Sequence, residues 1–202
     1  MTTEQTLSAA APSADRRYVT AAILLHWIIA ALIVTQIGLG WYMNKVLPDH
    51  SAAQDDIETL HISIGLTTLL FILARIGVRL ANRPPPLPSS LAPWERALAR
   101  FTHVTFYVLM LALPLTGWAL VSAKPDAIGF WGLGWPKLPG LGLLIGAGHR
   151  AARHTLQDVH TDYLVWLALA NLALHVGGAL KHQFDGHPVL WRMLPGGRPP
   201  SR

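Results

Sequence analysis

Four apolar blocks, each close to twenty residues long, constrain this chain more than any other feature. They run over about 21–43, 61–80, 101–121 and 160–180. A helix rises 1.5 Å per residue, so about 20 apolar residues cross the ~30 Å hydrocarbon layer of a bilayer. Soluble cores show shorter apolar stretches, interrupted at the helical or strand period. Charged residues make up 13% of the chain, against about 25% in an ordinary soluble domain. The expected fold is therefore all-α, a transmembrane four-helix bundle embedded in membrane lipid. Within 202 residues, one membrane domain over 18–196 leaves only an N-terminal tail, 1–17, and a C-terminal tail, 197–202. No small-residue cleavage site follows the first block, which reads as a retained helix and not a signal peptide.

The connections carry their own signals. An acidic stretch over 45–60 joins the first two blocks, and Asn82-Arg83-Pro84-Pro85-Pro86-Leu87-Pro88 ends the second. Residues 94–100 look like an amphipathic lead-in to the third block, which Pro114 is expected to kink. The long connection over 122–159 is rich in Gly, Trp and Pro, and is expected to lie along the membrane surface.

Charge sets the orientation. The N-terminus, the second connection and the C-terminal tail share one side of a four-helix chain and hold ten basic residues, while the other side holds five. By the positive-inside tendency both termini are cytoplasmic, in a bacterial inner membrane. The net charge of +5 is assigned to this topology, with no nucleic acid as partner.

Cysteine is absent, which excludes disulfides, thiolate-held iron–sulfur clusters and covalently attached haem. Histidine is abundant, with ten copies. Ionisable groups in membrane helices are costly and tend to be functional. His26 and His175 fall at one depth, His61 and His160 at the other. His160 and His175 are fifteen residues apart, about 22 Å along a helix and offset by roughly 60°, so both can face the bundle interior. Two histidines per level on different helices suit bis-imidazole ligation of haem iron. Gly177 and Gly178 beside His175, with Ser63 and Gly65 beside His61, are expected to leave room for the macrocycle. Zinc wants about four clustered ligands, whereas these histidines are split two by two.

Leu25-His26-Trp27, His61-Ile62-Ser63-Ile64-Gly65, the pair Arg75 and Arg79 before a Pro-rich loop, His103 before Tyr107, and Leu174-His175-Val176 with the following residues 179–184 together resemble the bacterial cytochrome b561 family. Residues 189–195 resemble its C-terminal signature, so the likeness extends over nearly the whole chain. The resemblance implies a diheme cytochrome with two haem b groups, ligated by His26, His175, His61 and His160. It implies electron transfer from a periplasmic donor, superoxide, to ubiquinone, with His103 and His182 at the quinone site. One departure stands out: the resemblance leads us to expect the helix-four ligands fourteen positions apart, and they are fifteen apart.

Two further features read from the residues. Arg150 and Arg153, with Lys124 and Lys137, form either a positive funnel steering superoxide towards the outer haem or ordinary surface charge. Arg75 lies about 21 Å deeper than His61, where it pairs with a haem propionate or snorkels to the surface. Three functions stay open: a stand-alone superoxide:ubiquinone oxidoreductase, a haem-bearing anchor relaying electrons for a partner hydrogenase or dehydrogenase, and a non-redox metal transporter.

Overall fold

The computed structural model describes residues 16–88, 91–145, 149–186 and 188–199. The N-terminal tail expected over 1–17 lies outside them apart from Arg16 and Arg17, as do residues 200–202. Four helices have the length and apolar character to cross a membrane. They are α1 (Thr20–Lys45), α2 (Ala52–Ala81), α3 (Pro93–Ser122) and a continuous helical run from Arg150 to Phe184.

Three of these begin well before their apolar blocks, the fourth run at Arg150 against about 160. Ser51 caps α2, its Oγ accepting from the Gln54 N–H at 3.2 Å, and Asp55 sits in the first turn. Most of the acidic connection is therefore helical, and His61 lies in the third turn of α2, not at its start. Pro93 opens α3, and Glu95 accepts from the Ala92 N–H at 3.0 Å. The amphipathic lead-in is thus continuous with the third span, and α3 runs on through Pro114.

The connection after α3 is more ordered than its composition suggests. Strands β1 (Ile128–Phe130) and β2 (Leu133–Trp135) pair antiparallel, with Ile128 opposite Trp135. Trp131 and Gly132 both have positive φ, 50° and 82°, as a tight primed hairpin turn requires. Trp131 holds this unusual conformation through two bonds to α2: its backbone N–H donates to Ser63 Oγ at 3.3 Å and its indole to Thr67 Oγ1 at 2.9 Å. A short α4 (Leu141–Ile145) follows. Then α5 (Arg150–Asp158) passes through a π-helical turn, Val159–Tyr163, into α6 (Leu164–Phe184).

Helix α1 packs on α2, α2 on α3, and α3 on α6, whereas α6 scarcely approaches α1 or α2. Asn171 ties α6 to α3, donating to the Thr102 carbonyl at 3.2 Å. The C-terminal segment folds back over one end of the bundle: Trp27 donates to the Met193 carbonyl (2.7 Å), Arg17 to Leu194 (2.6 Å) and Arg192 to Pro86 (2.8 Å). The N-terminus, the Pro-rich loop and the C-terminal tail therefore share this termini end, and the β-hairpin covers the other. Mid-helix residues such as Val34, Val104 and Trp166 remain largely exposed, forming an apolar belt suited to lipid.

Candidate functional site: histidines at two levels

Four histidines meet in pairs across the bundle. At the hairpin end the rings of His61 (α2) and His160 (π turn) have centres 6.4 Å apart. At the termini end His26 (α1) and His175 (α6) are 6.1 Å apart. An imidazole nitrogen sits about 2 Å from a bound metal and the ring centre about 1 Å beyond, so two rings on opposite faces of one iron have centres about 6 Å apart. Both pairs fit that separation. The first links the π turn to α2 and the second links α6 to α1, elements whose backbones come close at few points, so side chains span the space between them.

The π turn accounts for the irregular spacing of His160 and His175. A π turn takes one residue more than an α turn, so it absorbs the extra residue and still presents His160 to His61.

The small residues that give room differ partly from those expected. A Cβ on Gly117 would lie 3.1 Å from His160 Cε1, and one on Gly40 would lie 3.6 Å from His61 Cε1. Gly65 serves another neighbour: its Cβ would come within 2.8 Å of Gln36 Nε2, which donates to the His61 carbonyl at 2.9 Å. Ser63 is buried and engaged with Trp131, so it lines the hairpin contact. Gly177 and Gly178 do face open space.

His103 lies at the termini-end pair, its ring 5.6 Å from that of His175, and Phe106 also packs on His175 at 5.2 Å. The ring contacts of the described residues join His103 to His175 and not to His182. His182 sits at the end of α6 beside Lys181, which pairs with Glu95 at 2.7 Å and Asp185 at 2.6 Å. Arg75 donates to the Ala22 carbonyl at 2.9 Å, one helical turn from His26. It lines a cleft with Arg17, Tyr18, Arg79, Arg83 and Tyr107, and none of its four arginines has a carboxylate partner among the described residues.

The basic residues of the hairpin end divide into two kinds. Lys124 is paired with Glu58, and Lys137 donates to the carbonyls of Lys124 (2.6 Å) and Pro125 (2.9 Å). Both are thereby committed to holding the end of α3. Arg150 and Arg153 on α5 have no ion pair among the described residues. The same end also carries seven acidic residues, Asp49, Asp55, Asp56, Glu58, Asp126, Asp158 and Asp162. Positive charge without an ion-pair partner at this end is therefore found on α5 and does not extend over the whole face.

Sequence reading overlooked Gln36, Gly40, Thr116, Gly117 and Asn171. Gln36, Thr116 and Asn171 did leave a signal, as polar residues within apolar blocks. No cluster of three or more His, Cys, Asp or Glu able to hold a metal ion directly occurs among the described residues, so the zinc alternative has no donor set there.

A family model described as prokaryotic cytochrome b561 matches residues 17–196. The chain belongs to that family. It is accordingly a membrane electron-transfer protein of the haem b type. It is 30% identical over 180 residues to cytochrome b561 homolog 2 of Escherichia coli (strain K12), covering 88% of this chain and 91% of that one. It is 26% identical over 187 residues to the probable superoxide oxidase CybB of Yersinia pestis, covering 89% and 97%. Cytochrome b561 homolog 1 of Escherichia coli (strain K12) is 23% identical over 184 residues, with the same coverage.

Proposed function

We propose that this protein holds two b haems, one between His61 and His160 and one between His26 and His175, and carries electrons from superoxide to ubiquinone. The observation behind this reading is the two histidine pairs, at 6.4 Å and 6.1 Å, at opposite ends of one bundle. The termini face the cytoplasm of a bacterial inner membrane, in keeping with ten basic residues on that side against five. The outer pair then meets the periplasm. Bound haem b supplies a reversible one-electron iron couple. His26 is the better inner partner for His175 because it reaches across helices whose backbones come close at few points, while His103 belongs to the adjoining α3.

The overall conversion is two superoxide ions, one quinone and two protons giving two dioxygen molecules and one quinol. Each superoxide gives up one electron, and the quinone takes two. The name of the Yersinia pestis relative supports this choice of donor. Arg150 and Arg153 raise the local anion concentration near His160. The arginine cleft containing Arg75 receives the propionates of the inner haem. His103 and His182 donate hydrogen bonds and protons to the quinone.

Haem content and turnover test the reading. Purified protein should contain two haems per chain by pyridine haemochrome and should reduce ubiquinone with superoxide without a partner enzyme. His61→Ala and His160→Ala should lose the same haem, as should His26→Ala and His175→Ala. One haem in the unaltered chain, or loss of the same haem from His26→Ala and His61→Ala, would overturn the ligand pairs.

A further inference from the structure

The outer pair is asymmetric at its two Nδ1 atoms. His61 Nδ1 is buried with no hydrogen-bond partner, whereas His160 Nδ1 lies 2.8 Å from Thr116 Oγ1 on α3. Thr116 Oγ1 also lies 2.7 Å from the Ala112 carbonyl oxygen and 2.9 Å from that of Leu113. A hydroxyl has one proton, and carbonyl oxygens only accept. If that proton went to His160, the hydroxyl oxygen would face two carbonyl oxygens at hydrogen-bond distance with no proton between them. Donation back to the preceding turn is the usual habit of a helical threonine. Thr116 Oγ1 must then act as acceptor, so the proton between it and His160 belongs to Nδ1.

We propose that Thr116 is the positioning residue of the outer haem site, accepting from His160 Nδ1–H and so holding the imidazole with the Nε2 lone pair directed to iron. This rests on the reading of His160 as a haem ligand. The neighbouring Gly117 belongs to the same seat, since a Cβ there would press on His160 Cε1 at 3.1 Å. Consecutive residues on α3 thus fix the ring, one by a hydrogen bond and the other by an absent side chain. The π turn supplies the matching backbone on the other side. A second-shell acceptor on the distal nitrogen makes an imidazole a stronger electron donor, which favours the oxidised metal. His61 Nδ1 has no such partner, so the two histidines that would hold this haem are unequal.

The test uses holoprotein in detergent, with a redox titration and low-temperature EPR of each haem. His160→Ala first identifies which signals belong to the outer haem. Thr116→Val keeps the shape and removes the hydroxyl acceptor, leaving the Leu113 carbonyl as the other hydrogen-bond partner of the His160 ring. It should retain two haems, shift the outer EPR signal and raise the reduced-to-oxidised ratio of the outer haem about two- to tenfold at fixed potential. The upper end corresponds to about 59 mV for a one-electron couple. The inner haem should not change, and Thr116→Ser should restore the original behaviour. Loss of the outer haem in Thr116→Val but not in Thr116→Ser would equally uphold the need for the hydroxyl. Unchanged potentials and EPR in Thr116→Val, an equal shift of both haems, or failure of Thr116→Ser to restore would overturn the proposal. Two haems in His160→Ala would instead overturn the ligand assignment on which it rests.

Discussion

Gly117→Ala separates the needs of the helix from those of the outer site, because the two oppose each other at this residue. Alanine is the better helix former by about 1 kcal/mol, so on propensity alone α3 should gain. The added Cβ would stand 3.1 Å from His160 Cε1 and 3.7 Å from both ring nitrogens. Relief requires the ring to retreat by a few tenths of an ångström, away from the Thr116 hydroxyl at 2.8 Å. Overpacking of this kind costs roughly 1–3 kcal/mol, and a loss of 1.4 kcal/mol is tenfold in affinity. The variant should therefore keep its fold and its inner haem while holding the outer haem about five- to 140-fold more weakly. Gly38→Ala on α1 is the control, since nothing lies within 4 Å of a Cβ there. Haem retention during dilution into apomyoglobin, with thermal unfolding followed by circular dichroism, measures both sides. Equal retention of the outer haem in Gly117→Ala and Gly38→Ala would refute the argument that His160 is seated against α3.

Other residues give independent tests. Gly65→Ala should cost more stability in the unaltered chain than in a Gln36→Ala background, because its Cβ meets the Gln36 amide at 2.8 Å; additive losses in thermal unfolding would remove that coupling. Arg150→Glu with Arg153→Glu should slow reduction by superoxide at low salt, with the deficit shrinking as the Debye length falls, and salt-independent rates would leave those arginines as plain surface. Lys124→Glu should act on stability, and Lys124→Glu with Glu58→Lys should recover most of the loss, measured as a thermal midpoint. His103→Ala and His182→Ala should both keep two haems yet stall with haem reduced, and only His103→Ala should alter the inner haem spectrum, since only His103 touches His175; normal quinone turnover in both would end the quinone assignment.

The spans were legible because lipid imposes a length and an apolar composition on each helix, and both are written in one dimension. The histidine pairing was legible for a related reason: depth along a helix is proportional to residue number, so His26 and His175 could be matched without tertiary information. The outward extension of α2 was missed because Ser51 and Asp55 mark a helix start only when helix is expected among acidic residues. The hairpin at Trp131 was hidden because a bulky residue with positive φ has no propensity signal; its conformation is fixed by Ser63 and Thr67, far away in sequence. Gln36, Thr116 and Gly117 escaped because their roles depend on which face of one helix meets a histidine of another. That rotation is set by packing and, at His160, by a π turn that a fixed 100° period does not foresee.

The sparse approach of α6 to α1 and α2 carries a consequence for the life of the protein in its membrane. If the four imidazoles ligate haem as proposed, ligation would join elements whose backbones come close at few points, and so would help to close the bundle. A newly inserted chain waiting for its prosthetic groups would open more readily along that seam and offer α6 to membrane-bound proteases. Porphyrin and iron supply would then govern how many copies survive as well as how many are active. Starvation for either would thin the population of this cytochrome with no change in its transcription.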